Sequence, residues 1–130
     1  MYPEGTRFSE QKRAQALKRL ERQVDGELFH SLEGLRYVLP PRLTGTLALL
    51  EQAPNADVVF FAHAGFEGAS SFADILRGSM IGREIRVRYW AVPASSIPRE
   101  IEARKCWVYH EWEHIDEIIG RWYEAGEGPV

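Results

Sequence analysis

Apolar and polar positions alternate with different periods along this chain, and the changes of period mark out its elements. From Ser9 to about Gln23 the period is helical. Leu17, Leu20 and Val24 stand at i, i+3 and i+7, while Lys12, Arg13, Lys18, Arg19 and Arg22 cover the other sides. Ser9 suits the N-cap of this helix. Residues Asp25 to Leu35 are weakly patterned and carry Gly26 and Gly34, which predicts a connecting segment. Tyr37-Val38-Leu39-Pro40-Pro41-Arg42 predicts an extended stretch, because each proline disfavours helix at the residue before it and removes a donor. Thr44 or Thr46 then heads a short helix through Leu47, Leu49 and Leu50, with Pro54 just beyond it.

The run from Asp57 to Ala64 is almost continuously apolar, which predicts a strand buried on both faces. His63 near its end is expected to be a satisfied core or rim residue. Residues 65–82 mix glycine, serine and the segment Phe72 to Leu76, and read as a loop with a short helix. Glu84 to Val92 alternates, with Ile85, Val87 and Tyr89 on one side and Arg86 and Arg88 on the other, as a half-exposed strand does. From about Pro98 to Glu124 a helical seam runs through Val108, Trp112, Ile115, Ile119 and Trp122, and Gly126 and Gly128 follow it. No repeat, low-complexity tract or domain boundary interrupts this order. Residues 1–130 therefore read as a single α/β domain: a sheet packed by helices, ending in a long C-terminal amphipathic helix.

Composition narrows the function classes. A net charge of −3 argues against bulk binding of nucleic acid. The single cysteine, Cys106, allows no intrachain disulfide and fits a reducing compartment. No apolar run reaches the ~20 residues needed to cross a bilayer, and the first fifteen residues hold no signal-peptide core. The expectation is a cytoplasmic domain. Its basic first helix offers peripheral contact with the inner face of the membrane, against the commoner reading of a solvated face.

Two stretches carry chemistry. Tyr2-Pro3-Glu4-Gly5-Thr6-Arg7-Phe8 sets an acid, a glycine, a hydroxyl and an arginine just ahead of a helix N-cap. Gly5 permits a sharp turn, Arg7 presents a planar fork of donors to oxyanions, and the N–H groups opening the next helix point the same way. The stretch is a candidate small-anion site. The second stretch, His110-Glu111-Trp112-Glu113-His114, fits the H-E-x-x-H pattern of zinc hydrolases, in which histidines at i and i+4 share a metal and the glutamate polarises its water. At about 100° per residue both histidines fall with Glu117 and Arg121 on a polar stripe away from the seam. A third ligand is not apparent, so His110, Glu111 and His114 are the lesser candidate.

Tyr2 to Phe8, followed by Ser-Glu-Gln-Lys-Arg-Ala, resembles the third motif (F-P-E-G-T-R) of the glycerophospholipid acyltransferase superfamily. Val38-Leu39-Pro40-Pro41-Arg42-Leu43-Thr44-Gly45 resembles that family's L-P-x-x-x-G stretch, most closely its lysocardiolipin-type branch. The strand at Asp57 and the Trp107, Trp112, Ile115-Asp116 pattern are also similar to bacterial members. The resemblance implies acyl transfer from acyl-CoA or acyl carrier protein to a lysophospholipid or glycerol-phosphate acceptor, with no cofactor. It also implies that Glu4, Gly5, Thr6 and Arg7 form the acceptor-phosphate site, with Arg7 on the phosphate and Glu4 fixing the turn.

The family's catalytic H-x-x-x-x-D motif is expected upstream of that block. None of His30, His63, His110 or His114 has an aspartate five residues on. The expectation is a chain that resembles the C-terminal half of such an enzyme, without catalytic residues of its own and inactive in isolation. A non-catalytic interaction or headgroup-binding module is the alternative. A sheet lacking its preceding strands would leave apolar surface uncovered, which predicts a homodimer.

Overall fold

The computed structural model describes residues 9–65, 76–78 and 81–126. Among them, helix α1 (Glu10–Leu20) begins where its sequence asks, with the Ser9 hydroxyl accepting from the Lys12 N–H at 3.3 Å. The segment expected to be a plain connection is instead a helix, α2 (Gly26–Glu33), capped by Asp25, whose carboxylate accepts from the Leu28 N–H at 2.9 Å. That cap offsets the weak propensity of Gly26, and Leu32, completely buried, ties the helix to the core. Neither threonine caps α3 (Leu43–Gln52). The N-cap falls two residues before Thr44, at Arg42, with no side-chain acceptor on the first turn.

Strands β1 (Val58–Ala64) and β2 (Arg86–Val92) pair antiparallel, with Phe60 opposite Trp90 and Phe61 opposite Tyr89. A 3₁₀ turn at Ala94–Ser96 then leads to the 24-residue helix α4 (Ile101–Glu124). The α/β reading holds in this form, helices against a two-stranded antiparallel sheet with a long C-terminal helix.

Helix α4 lies across one face of the sheet, and α2 and α3 pack against it. Its seam buries Val108, Trp112, Ile115 and Ile119, joined by Tyr109 and Ile118 on either side. The apolar stripe is thus wide enough to meet both the sheet and the other helices. Phe60 sits in an aromatic group, stacked on Trp90 and edge-on to Trp107, each at 5.6 Å between ring centroids.

One expectation about the strands is overturned. β1 is buried on one face only: Phe60, Ala62 and Ala64 point inward, while Val59 and Phe61 are 48% and 58% exposed. β2 is half exposed as its alternation predicts, with the Val87 and Tyr89 side outermost. Val87 and Tyr89 are exposed, and Trp90 and Val92 pack against the core. Trp90 decides the phase, because residues directly opposite in an antiparallel pair share a face and Trp90 stands opposite Phe60. Its indole N–H also donates to Glu111 of α4 at 2.9 Å. Gly65, at φ 105°, ends β1 in a conformation costly for any residue with a side chain.

Candidate functional site

The residues Glu4, Gly5, Thr6 and Arg7 lie outside the described residues. The second block, Val38 to Gly45, is placed in detail. It leads from a bend at 36–38 through buried Val38, Leu39, Pro40 and Pro41 into the first turn of α3, and α4 holds it through two side chains. Asp116 accepts from three successive backbone N–H groups: Arg36 at 3.1 Å, Tyr37 at 2.7 Å and Val38 at 3.0 Å. One turn earlier, the Trp112 indole N–H donates to the Leu39 carbonyl at 2.8 Å. A proline-rich segment cannot satisfy its backbone in a sheet ladder, so these side chains supply the missing partners. On the other side, Arg13 of α1 donates to the Leu35 carbonyl at 3.1 Å and the Glu33 carbonyl at 2.5 Å. A cation there also complements the C-terminal end of α2. Arg13 is therefore a structural arginine, and the basic side of α1 is not simply solvated.

This anchoring delivers Arg42 and the first turn of α3 to a cleft of about 760 Å³ between the end of α1, the start of α2, α3 and the first half of α4. Arg19, Arg42 and Lys105 line it, with Tyr109 among its walls and Leu28 and Leu47 on its apolar side. Burial pushes the Tyr109 phenol above the ordinary tyrosine range, and the nearby Arg19 charge partly counters that rise. Tyr109 thus remains a neutral hydroxyl at physiological pH. Neither this cleft nor the anchoring role of Asp116 is apparent from sequence spacing. The only trace of the latter is the Trp112–Asp116 interval of four, which puts both side chains on one side of α4.

The H-E-x-x-H residues are engaged separately. His110 is exposed and faces Glu113 at 3.2 Å, a carboxylate whose other oxygen is buried without a hydrogen-bond partner. Glu111 takes the Trp90 indole N–H, and His114 stands edge-on to the Trp90 ring at 5.0 Å. Among the described residues no three or more His, Cys, Asp or Glu side chains are grouped to hold a metal ion. Of the remaining histidines, His30 is exposed beside Glu33 at 3.5 Å, and His63 lies exposed on the outer face of β1. No helix among the described residues is long and apolar enough to cross a membrane.

The chain is similar to lysocardiolipin acyltransferase 1 of Gallus gallus, with 24% identity over 131 residues, covering 98% of this chain and 33% of that protein. It thus spans about a third of the length of that relative. No family model matches the chain, and no solved structure matches it. The similarity supports a distant relationship to the acyltransferases.

Proposed function

We propose that this chain is the acceptor-binding portion of a glycerophospholipid acyltransferase. The parent protein would transfer an acyl group from acyl-CoA or acyl carrier protein to the hydroxyl of a lysophospholipid or glycerol-phosphate acceptor. The oxygen–carbonyl bond of the ester forms as the carbon–sulfur bond of the thioester breaks, and the thiol leaves with the hydroxyl proton. In this chain Arg7 would pair with the acceptor phosphate, while Glu4, Gly5 and Thr6 shape the turn that presents it.

One observation carries the reading. The Tyr2–Phe8 and Val38–Gly45 blocks sit in a chain whose similarity to an acyltransferase runs over 98% of its length. The Asp116 and Trp112 anchors support it, because they give the second block and the Trp112–Asp116 pattern one shared structural purpose. With no His-x4-Asp pair in its 130 residues, the chain binds the acceptor phosphate without transferring acyl groups. Incubation with acyl-CoA and lysophosphatidate tests this: no acyl transfer is expected, and turnover comparable to a complete acyltransferase refutes the binding-only role.

A second reading, a non-catalytic interaction module that pairs with its own copy, is favoured by the outer sheet face. Val59, Phe61, Val87 and Tyr89 form a contiguous apolar patch there, between 48% and 70% exposed. Phe61 and Tyr89 stand opposite each other with ring centroids 5.8 Å apart. Sedimentation equilibrium should show a dimer that Phe61→Glu dissociates. A monomer at every concentration would remove this reading.

A further inference from the structure

The cleft between α1, α2, α3 and α4 holds the elements of a second anion site, built without any residue of the Glu4–Arg7 block. Three features converge. Arg19 and Arg42 both line the cleft, and among the described residues neither makes an ion pair or hydrogen bond. The first turn of α3 opens onto it with no side-chain cap and no acidic residue, so its N–H groups at Leu43, Thr44 and Gly45 keep their donor capacity. Tyr109, only 3% exposed, lines the same cleft with a hydroxyl that makes no hydrogen bond among the described residues. The ring is packed away while the hydroxyl stays accessible from the cleft that Arg19 and Arg42 also line, which suits it to an incoming acceptor.

The carboxylates in the cleft are mostly occupied. Asp25 caps α2 and Glu102 pairs with Lys105 at 2.7 Å. Glu51 stands seven residues along α3 from Thr44, roughly 10 Å from the first turn. The charge around the opening turn of α3 is therefore positive. Val24, Leu28, Leu43 and Leu47 give the cleft an apolar wall beside that end.

We infer that Arg19, Arg42, the first-turn N–H groups of α3 and the Tyr109 hydroxyl bind the phosphate group of a phosphate monoester whose body lies along the apolar wall. Two arginines and a helix N-terminus match an oxyanion with several acceptor oxygens better than a single carboxylate. The same chemistry is found in a soluble phosphate ester and in a phosphomonoester lipid headgroup.

The two sources are separated by titrating the full chain in parallel. One arm uses inorganic phosphate. The other uses lysophosphatidate in phosphatidylcholine vesicles against phosphatidylcholine alone. Both are read from amide and arginine side-chain resonances by NMR. The expected result is a saturable shift of the Leu43, Thr44 and Gly45 amides and of the Arg19 and Arg42 Nε–H signals. Arg19→Gln with Arg42→Gln should weaken binding at least tenfold, as losing charge-assisted bonds does. Tyr109→Phe should weaken it by roughly two- to tenfold while keeping the fold, because only the hydroxyl is removed.

A response to phosphate alone assigns the site to soluble esters, and a response to the lipid arm alone assigns it to headgroups. Arg7→Ala should leave the α3 signals responding, so failure of the Glu4–Arg7 reading and failure of this site are told apart. The inference is overturned if neither arm shifts the α3 amides, or if the double glutamine variant, shown folded by its spectrum, binds as the parent does.

Discussion

Replacing Asp116 by alanine should be among the most damaging single changes in this chain, although its position on the surface of α4 looks unremarkable. The carboxylate accepts from the N–H groups of Arg36, Tyr37 and Val38, of which the last two are partly buried. Hydrogen bonds to a charged partner contribute about 1.5–3 kcal/mol each, and the buried donors left behind find no substitute. Arg36 is exposed and rehydrates, so the loss rests mainly on two bonds, about 3–5 kcal/mol in all. That is a large part of the roughly 5–15 kcal/mol by which a domain is stable. For 130 residues the unfolding entropy makes 1 kcal/mol worth about 4 °C, so the midpoint should fall by about 12–20 °C. Asp116→Asn keeps one carbonyl acceptor and should lose about half as much. Urea unfolding followed by tryptophan fluorescence, with hydrogen exchange at Tyr37 and Val38, measures both. A loss under about 1 kcal/mol in Asp116→Ala, or equal losses in the two variants, would refute the anchoring role.

Three further outcomes are expected. Glu100 caps α4 through the N–H groups of Glu102 and Ala103, and these hydrogen bonds hold its carboxyl below the usual range. Its contribution is present above the ordinary carboxylate range and is lost as pH falls through the lowered value. Glu100→Ala should therefore be less stable than the parent at neutral pH and indistinguishable from it in strong acid, by thermal melts across pH. Tyr109 has the opposite sign: its raised folded value means the unfolded chain releases the phenolic proton first. Stability should fall as pH climbs past the ordinary tyrosine range, and Tyr109→Phe should flatten that slope in alkaline denaturation. Purified protein should carry no stoichiometric zinc by elemental analysis, and His110→Ala should leave its melting unchanged. Bound zinc lost on that substitution would revive the H-E-x-x-H site.

The period of the apolar positions carried the helices α1 and α4 and the existence of both strands, while the prolines carried the non-helical approach to α3, although residues 36–38 bend rather than extend. It failed where a tertiary partner outweighs a local preference. Residues 26–33 look like a connection because two glycines bracket them, yet the Asp25 cap and the burial of Leu32 make a helix. β1 turns only one face to the core, against the expectation of a strand buried on both. A nearly continuous apolar run shows no phase, and only the pairing of Phe60 with Trp90 tells which side meets α4.

Of the site, the Glu4–Arg7 block is legible as residue types suited to an anion, and family resemblance gives it a role. The Arg19, Arg42 and Tyr109 cleft was not legible. Its members are separated by long stretches of chain, and only the packing of α1 on α2, and of α2 and α3 on α4, assembles them. Asp116 lies between these cases. Its spacing from Trp112 is visible, but what the pair holds becomes apparent only in three dimensions.

The central claim, that Arg7 serves a phosphate-bearing acceptor, is tested most directly by isothermal titration with glycerol 3-phosphate. The experiment uses the parent chain, Arg7→Ala, and Arg19→Gln with Arg42→Gln. Arg7→Ala should remove one binding event while leaving the event that depends on Arg19 and Arg42. Identical isotherms for the parent and Arg7→Ala would contradict it.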